Sequence, residues 1–247
     1  MLTIGITTFE HRYETYFKPL LRQIKQFDPH IEVIVAINGE HKQDFSNKYR
    51  EDILDFISDS PNTYPIMFPT FRGLSKLWNS IIIHSSNDHI LLLNDDVTIM
   101  GSQFIEAVKR LCTYNTSIEI NGSWSHVLLN KKEVMEVGYF DERLLGIGQE
   151  EILIWEYEKY YKRKLESIYL PGIINHVDMS HAPQNIKATE SGKYSKFNKD
   201  ILFNTLYNIN YDKGEIHGKI QEPLIICEPI IRQYPYESFY LENKDKL

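Results

Sequence analysis

Apolar residues in the first hundred positions follow two alternating rhythms. Short, nearly continuous runs, "LTIGITTF" (Leu2 to Phe9), "IEVIVAIN" (Ile31 to Asn38) and the start of "HILLLNDDVTI" (strand expected over Ile90 to Leu93), are too short for helices and predict buried strands. Between them apolar positions recur at helical spacing: Phe17, Leu20, Leu21 and Ile24, then a polar helical stretch from Asp44 to Ile57, then Leu74 to His84. Pro19 weakens the early turns of the first of these helices and leaves a start just after it. Asn38-Gly39 is a turn signal. Apolar strands separated by helices predict a mostly parallel sheet covered on both faces. Right-handed crossovers then put the strands' carboxyl ends on one edge, where open α/β sheets bind their ligands. Thr7-Thr8-Phe9, Asn38 and Asn94-Asp95-Asp96 all end strands and are expected to converge there.

The second half has a different rhythm. "GSWSHVLLNKKEVMEVGYFDERL" reads as a short strand, a helix of one or two turns and a Gly-marked turn. "EEILIWEYEKYYKRK" is a helix with acids in its first turn and bases in its last, which suits the helix dipole. "SIYLPGIINHV" reads as a final strand interrupted by Pro171-Gly172. Beyond His181 the chain turns polar and rich in Asn, Lys and Tyr before a last apolar run, "PLIICEPII". Residues 182–247 are expected to form a C-terminal extension over the acceptor side of the domain or against a second subunit in a homodimer, because this much apolar and tyrosine surface would associate if left bare.

Composition narrows the function classes. The 247 residues fit one large domain, and 42% apolar with 13% aromatic residues suffice for a substantial core. A formal charge of −7 argues against a nucleic-acid partner, which would call for a basic stripe. The longest basic run, Lys162-Arg163-Lys164, reads as a solvated helix end. The two cysteines, Cys112 and Cys227, form neither a disulfide framework nor a zinc spacing, and a reduced, cytoplasmic location is the simplest reading. "MLTIGITTF" lacks the features of a signal peptide, and no apolar run approaches the roughly 20 residues that span a bilayer. Contact with a membrane is expected to be peripheral.

Four segments, in order, resemble the nucleotide-sugar-dependent glycosyltransferases of the GT-A fold, especially the large family 2. "IGITTFEHR" resembles the strand and loop that cradle the nucleotide base, and "FRGLSKLWNS" matches the Gly-x5-Asn helix start through Gly73 and Asn79. "LLLNDDV" resembles the metal motif in its Asn-x-Asp variant. "VGYFDERLLGIGQEEILIWEYEKYYKRK" followed by "INHVDMS" resembles the Gly-x-Phe-Asp-Glu turn, the acidic acceptor motif and a late histidine. The resemblance spans about residues 2–181. It implies a Rossmann-like GT-A domain, with a nucleotide-sugar half over about 1–100 and an acceptor half over about 101–181. The implied activity moves a sugar from a UDP, dTDP or GDP donor to a hydroxyl of a glycan or lipid-linked glycan, with inversion favoured.

The resemblance also implies roles. Asp96 is the carboxylate for Mn2+ or Mg2+, Asn94 and Asp95 position the ribose and the metal's waters, and His176 completes the metal shell, with His181 a weaker substitute. Thr8 and Phe9 lie at the base, and Asn38 stands where many relatives carry an Asp that reads it. Arg12, Arg72 and Lys76 are the cations available for phosphate, while Trp78 replaces the basic residue often found before Asn79. In Gln149-Glu150-Glu151, Glu151 stands in the position of the catalytic base and Glu150 beside it supports. Gln149, Trp124 and Asp141 are acceptor-side candidates, although Asp141-Glu142 also suits the shaping of the preceding loop and Trp124 or Trp155 can simply fill core. An Asn-Asp turn without a ligand and an ordinary acidic first turn are the plainer readings of the two acidic motifs. Two rival functions stand beside transfer: a sugar nucleotidyltransferase, which would normally carry a Gly-rich phosphate loop absent from "TTFEHR", and a degenerate GT-A domain that binds glycan or scaffolds a partner.

Overall fold

The computed structural model describes residues 1–39, 46–144 and 149–175, and within the last stretch only the backbone of Gln149, Glu151 and Trp155. His176, His181 and the C-terminal extension lie outside the described residues. The strands are β1 (Leu2–Thr8), β2 (Glu32–Ile37), β3 (Thr63–Met67), β4 (His89–Asn94), β5 (Val97–Ile99), β6 (Ile118–Ile120), β7 (Ser123–Asn130), β8 (Glu166–Ile168) and β9 (Ile173–Asn175). The helices are α1 (Lys18–Phe27), α2 (Asn47–Ser58), α3 (Leu74–His84), α4 (Ser102–Leu111), α5 (Lys131–Glu136) and α6 (Gln149–Tyr161). None is long and apolar enough to cross a membrane.

Among the described residues the main sheet has seven strands in the order β3-β2-β1-β4-β7-β6-β8. The half from β3 to β4 is parallel throughout, and β7 runs antiparallel to both its neighbours. Every residue of β1 is buried, as are nearly all of β2 and β4, which explains why these strands read as continuous apolar runs without alternation. The core gathers Ile4, Ile6, Val33, Val35, Leu91 and Leu93 from the strands with Phe17, Leu20, Leu21 and Ile24 from the α1 region. On β1, a side chain at Gly5 would overlap Ile81 of α3, so a bare backbone here lets the helix lie close on the sheet.

Three local features depart from the sequence expectation. Helix α1 begins at Lys18 with Pro19 in its first turn, where a missing N–H costs nothing, and a 3-10 turn (Glu10–Arg12) and a π turn (Tyr13–Phe17) precede it. Strand β4 runs through Asn94. "SIYLPGIINHV" is not one interrupted strand but two, in different sheets: β8 extends the main sheet beside β6, while β9 pairs with β5. Pro171 supplies no N–H and Gly172 adopts φ +98, so the chain turns between them, and Met100 N–H donates to the Gly172 carbonyl at 2.8 Å.

The described residues form two compact units. The first holds Met1–Arg72, Leu77–Glu133 and the stretch from Leu165, and contains both sheets. The second holds Gly73–Lys76 and Val134–Lys164, and contains α6.

Candidate functional site

In the first unit, register brings the polar strand ends together. Thr7 lies opposite Asn94 and Thr8 opposite Ile37, and Asn38 N–H donates to the Thr8 carbonyl at 2.8 Å. Just past β4, Asp95 and Asp96 form the tight turn into β5. Thr8 Oγ1 donates to Asp95 Oδ2 at 2.8 Å. Arg12 returns to the same point because the 3-10 turn closes on itself, Arg12 N–H donating to the Phe9 carbonyl at 3.0 Å. Its Nη2 stands 2.7 Å from Asp95 Oδ1 and 2.7 Å from Asp96 Oδ2. Arg12 is 8% exposed, Asp95 3% and Asp96 4%, so three charges sit out of water and their mutual attraction offsets part of the cost of burying them. Burial alone would lower the Arg12 pKa, but attraction to Asp95 and Asp96 outweighs it and raises the value, keeping the guanidinium charged. Tyr16 and Phe9 offer ring faces to that guanidinium at 5.0 and 5.7 Å.

Asn38 serves the neighbouring segment. Its side-chain amide donates to the Arg72 carbonyl and accepts from Arg72 N–H, each at 2.9 Å. Beside it, a Cβ at Gly39 would fall 2.6 Å from the Thr70 carbonyl carbon, so Gly39 permits this close passage of two backbones. The Arg72 guanidinium bonds Thr70 Oγ1 at 2.7 Å and the Phe71 carbonyl at 3.0 Å. Asn94 and Trp124 are half-buried, whereas Trp78 and Asn79 of α3 are buried.

Within the second unit Lys76 Nζ lies 3.5 Å from Glu142 Oε2. Asp141 is fully buried and grips Arg143 through Nε at 2.8 Å and Nη2 at 2.5 Å, so its carboxylate braces the turn. Glu150 is half-buried in the first turn of α6. The side chains of Glu151 and Gln149 lie outside the described residues, as does His176.

The sequence reading missed His126. It lies on β7 opposite Leu93 at the end of β4, with Ser125 Oγ at 3.2 Å from Nδ1 and Asn121 Nδ2 at 3.5 Å from Nε2. Asn175 Nδ2 donates to the same Ser125 Oγ at 2.7 Å, which ties β9 to β7. Desolvation lowers the His126 pKa to about 4, so the ring is neutral at pH 7. A strand pattern marks His126 only as an inward position; nothing local in sequence names its partners.

The donor set at Asp95 and Asp96 fits a hard divalent cation: two adjacent buried carboxylates of the kind that Mg2+ uses together with phosphate oxygens and water. Among the described residues no group of three or more His, Cys, Asp and Glu side chains could hold a metal alone. Asn175, the residue before His176, pairs with Val97, the residue after Asp96.

No family model matches the chain, and no curated protein matches it in sequence. Solved structures match in fold. S. aureus TarS is 13% identical with a TM-score of 0.54 over 70% of this chain and 36% of its own. TarS 1–349, solved with UDP-GlcNAc, is 14% identical with a TM-score of 0.50 over 68% of this chain and 58% of its own. The mannosyltransferase PcManGT from Pyrobaculum calidifontis, solved with GDP-Man and Mn2+, is 10% identical with a TM-score of 0.51 over 69% of this chain and 54% of its own. The chain thus spans between about a third and three fifths of the structures it resembles. At these identities the likeness shows the fold: a GT-A-type α/β domain.

Proposed function

We propose that this chain is a nucleotide-sugar-dependent glycosyltransferase, moving a sugar from a nucleoside diphosphate donor to a hydroxyl of a glycan or lipid-linked glycan with inversion. The observation that carries the reading is the convergence of Thr8, Arg12, Asp95 and Asp96 at the carboxyl edge of a GT-A sheet. Neighbours in fold solved with UDP-GlcNAc and with GDP-Man and Mn2+ support a donor of the same class.

The chemistry asks for two things from the protein. As the acceptor oxygen bonds to the anomeric carbon, the bond from that carbon to the diphosphate oxygen breaks and negative charge collects on the leaving group. Asp96 would hold a divalent cation, Mn2+ or Mg2+, which when bound neutralises that charge, with Asp95 positioning the metal's waters and the ribose. Arg12, Arg72 and Lys76 are the side chains for the remaining phosphate charge, with Thr8, Phe9, Asn38 and Asn94 assigned to the nucleoside, and Gly73 and Asn79 also assigned to the donor. The acceptor hydroxyl has too high a pKa to attack unaided, and a carboxylate must take its proton during attack. We assign that step to Glu151, with Glu150 supporting, because adjacent helix positions point about 100° apart and one acceptor oxygen can face only one of them. Gln149 and Trp124 are assigned to acceptor contacts and His176 to the metal shell. The setting proposed is cytoplasmic, with a lipid-linked acceptor bringing the enzyme to a membrane surface and residues 182–247 covering the acceptor side or a second subunit.

The test is a panel of UDP-, dTDP- and GDP-sugars with Mn2+, read by melting temperature and donor hydrolysis, followed by Glu151→Gln on the donor that responds. Turnover should fall by roughly 10²–10⁴-fold with donor affinity nearly unchanged. A panel in which no donor raises the melting temperature or is hydrolysed overturns the reading.

A further inference from the structure

The six residues from Lys159 to Lys164, "KYYKRK", carry four cations, two tyrosines and no acid, in a chain whose formal charge is −7. Lys162, Arg163 and Lys164 are exposed, while Lys159 and Tyr161 are half-buried. Tyr160 is 56% exposed. The rings form a graded stack. Tyr157 is buried, Tyr161 leans on it with ring centroids 4.7 Å apart, and Tyr160 meets Tyr161 edge-on at 4.9 Å. The Arg163 guanidinium lies over both Tyr157 and Tyr161, at 5.1 and 5.4 Å. The Tyr161 hydroxyl donates to the Glu136 carboxylate, tying the end of α5, where Met135 is exposed, to this end of α6.

A solvated helix end accounts for part of this only. Bases at the last turn suit the helix dipole, but that role does not call for an exposed tyrosine packed rigidly beside them. Lys162 stands at φ +56 just past the helix, where glycine sits without strain and a lysine costs backbone energy. A long cation is thus kept where the backbone favours no side chain at all. Tyrosine among cations is the composition of a lipid–water interface. The ring enters the headgroup layer while its hydroxyl stays wet, and Lys and Arg are drawn to anionic lipid. Two nearby carboxylates, Glu136 and the half-buried Glu158, offset part of that attraction and make the contact weak and reversible. No described helix is long and apolar enough to cross a bilayer, so the described residues can meet one only through a surface.

We propose that the end of α6 docks on the anionic surface of a lipid bilayer, with Tyr160 entering the headgroup layer and Lys162, Arg163 and Lys164 facing its phosphates. The inference rests on the lipid-linked acceptor of the reading above and gives that reading a geometry. Glu151, assigned as the base, lies ten residues before Tyr161 on the same helix, about 15 Å along its axis. Docking through one end of α6 holds the other end, and the acceptor hydroxyl it serves, within a short reach of the headgroups. A glycan still attached to its lipid requires that.

The experiment floats the full chain with vesicles of phosphatidylcholine, alone or mixed equally with phosphatidylglycerol, with no donor, metal or acceptor present. The chain should float with the anionic vesicles at low salt and not with the neutral ones, and added salt should release it. Lys162→Gly removes one cation and relieves the backbone. Its melting temperature should hold or rise while vesicle affinity falls about fivefold, the worth of one cation at such a surface. Lys162→Gly with Lys164→Gln should lose at least about tenfold. Tyr160→Ser should weaken binding several-fold and leave its salt dependence alone. Absence of binding to anionic vesicles, equal binding to neutral ones, or unchanged affinity in these variants overturns the proposal. So does the loss of a dimer in the double variant with vesicle binding intact, which would give the patch to a second copy of the chain. Because the assay contains neither donor nor metal, its failure is distinguishable from a failure of the nucleotide-sugar panel.

Discussion

Thr8, Asn38, Asp95 and Asp96 each end a strand, so the rule that places parallel strand ends on one edge was enough to bring them together in a reading of the chain alone. Arg12 and His126 show where that reasoning stops. Arg12 could be read as a cation available to the site, but which carboxylate a long side chain meets depends on the path of the intervening turn, and no pattern in "TTFEHR" states it. His126 was not legible because its partners are Asn121 and Ser125, and Asn175, on a strand far away in sequence, reaches it only through Ser125 Oγ. Its burial has a measurable consequence. The folded pKa is about 4 against an ordinary 6.5, so between those values the unfolded chain binds the proton that the folded chain refuses. Stability should therefore rise with pH across this window by about 1.4 kcal/mol per unit, and be lost as pH falls from 6.5 toward 4. Denaturant titrations of the unaltered chain and His126→Asn at several pH values check this: the slope should flatten in the variant, and an unchanged slope would assign the acid sensitivity to other groups.

At the level of elements, the three long buried strands and α3 were legible almost to the residue, because continuous apolar runs and helical periodicity both survive burial. The start of α1 and the division of the "SIYLPGIINHV" segment were not. Both turn on proline, which forbids certain hydrogen bonds without saying what the chain does in their place; at Pro19 it begins a helix, and at Pro171 it sends the chain to a second sheet. Helix α3 lies close on β1 at Gly5. Gly5 lies under Ile81 and Leu92, and the methyl group of Gly5→Ala would have to displace both. Such overpacking costs about 1–3 kcal/mol, and the denaturation midpoint should move accordingly. Since β1 ends at Thr8, the same change should also weaken donor binding, if the proposed function holds, by shifting that residue; a variant that loses stability while keeping donor affinity would show that the strand absorbs the strain before its end.

Over the whole molecule, the parallel half from β3 to β4 and the mixed half from β7 to β8 serve different purposes: the first delivers polar strand ends to the edge, and the second continues the sheet past them. The fold class could be read from the alternation of strand and helix in the first half alone. The assignments to Glu151, Gln149 and His176 came through resemblance, since an acidic helix start or a histidine after a strand has an ordinary structural explanation of its own. One small feature reaches furthest in its consequences. The ladder of β5 with β9, three residue pairs from Val97↔Asn175 to Ile99↔Ile173, joins stretches 74 to 78 residues apart in sequence. Closing so large a loop costs chain entropy before its few contacts return any, so this pairing should form after the rate-limiting barrier to folding has been crossed. Ile99→Val, expected to cost about 0.5–1.5 kcal/mol at a buried position, should then accelerate unfolding and leave the refolding rate alone. Stopped-flow measurement of both limbs decides it, and slowed refolding would put the ladder in the nucleus. With the ladder late, Asp96 acquires its final position only in the closing moments of folding, one residue ahead of the last seam to form.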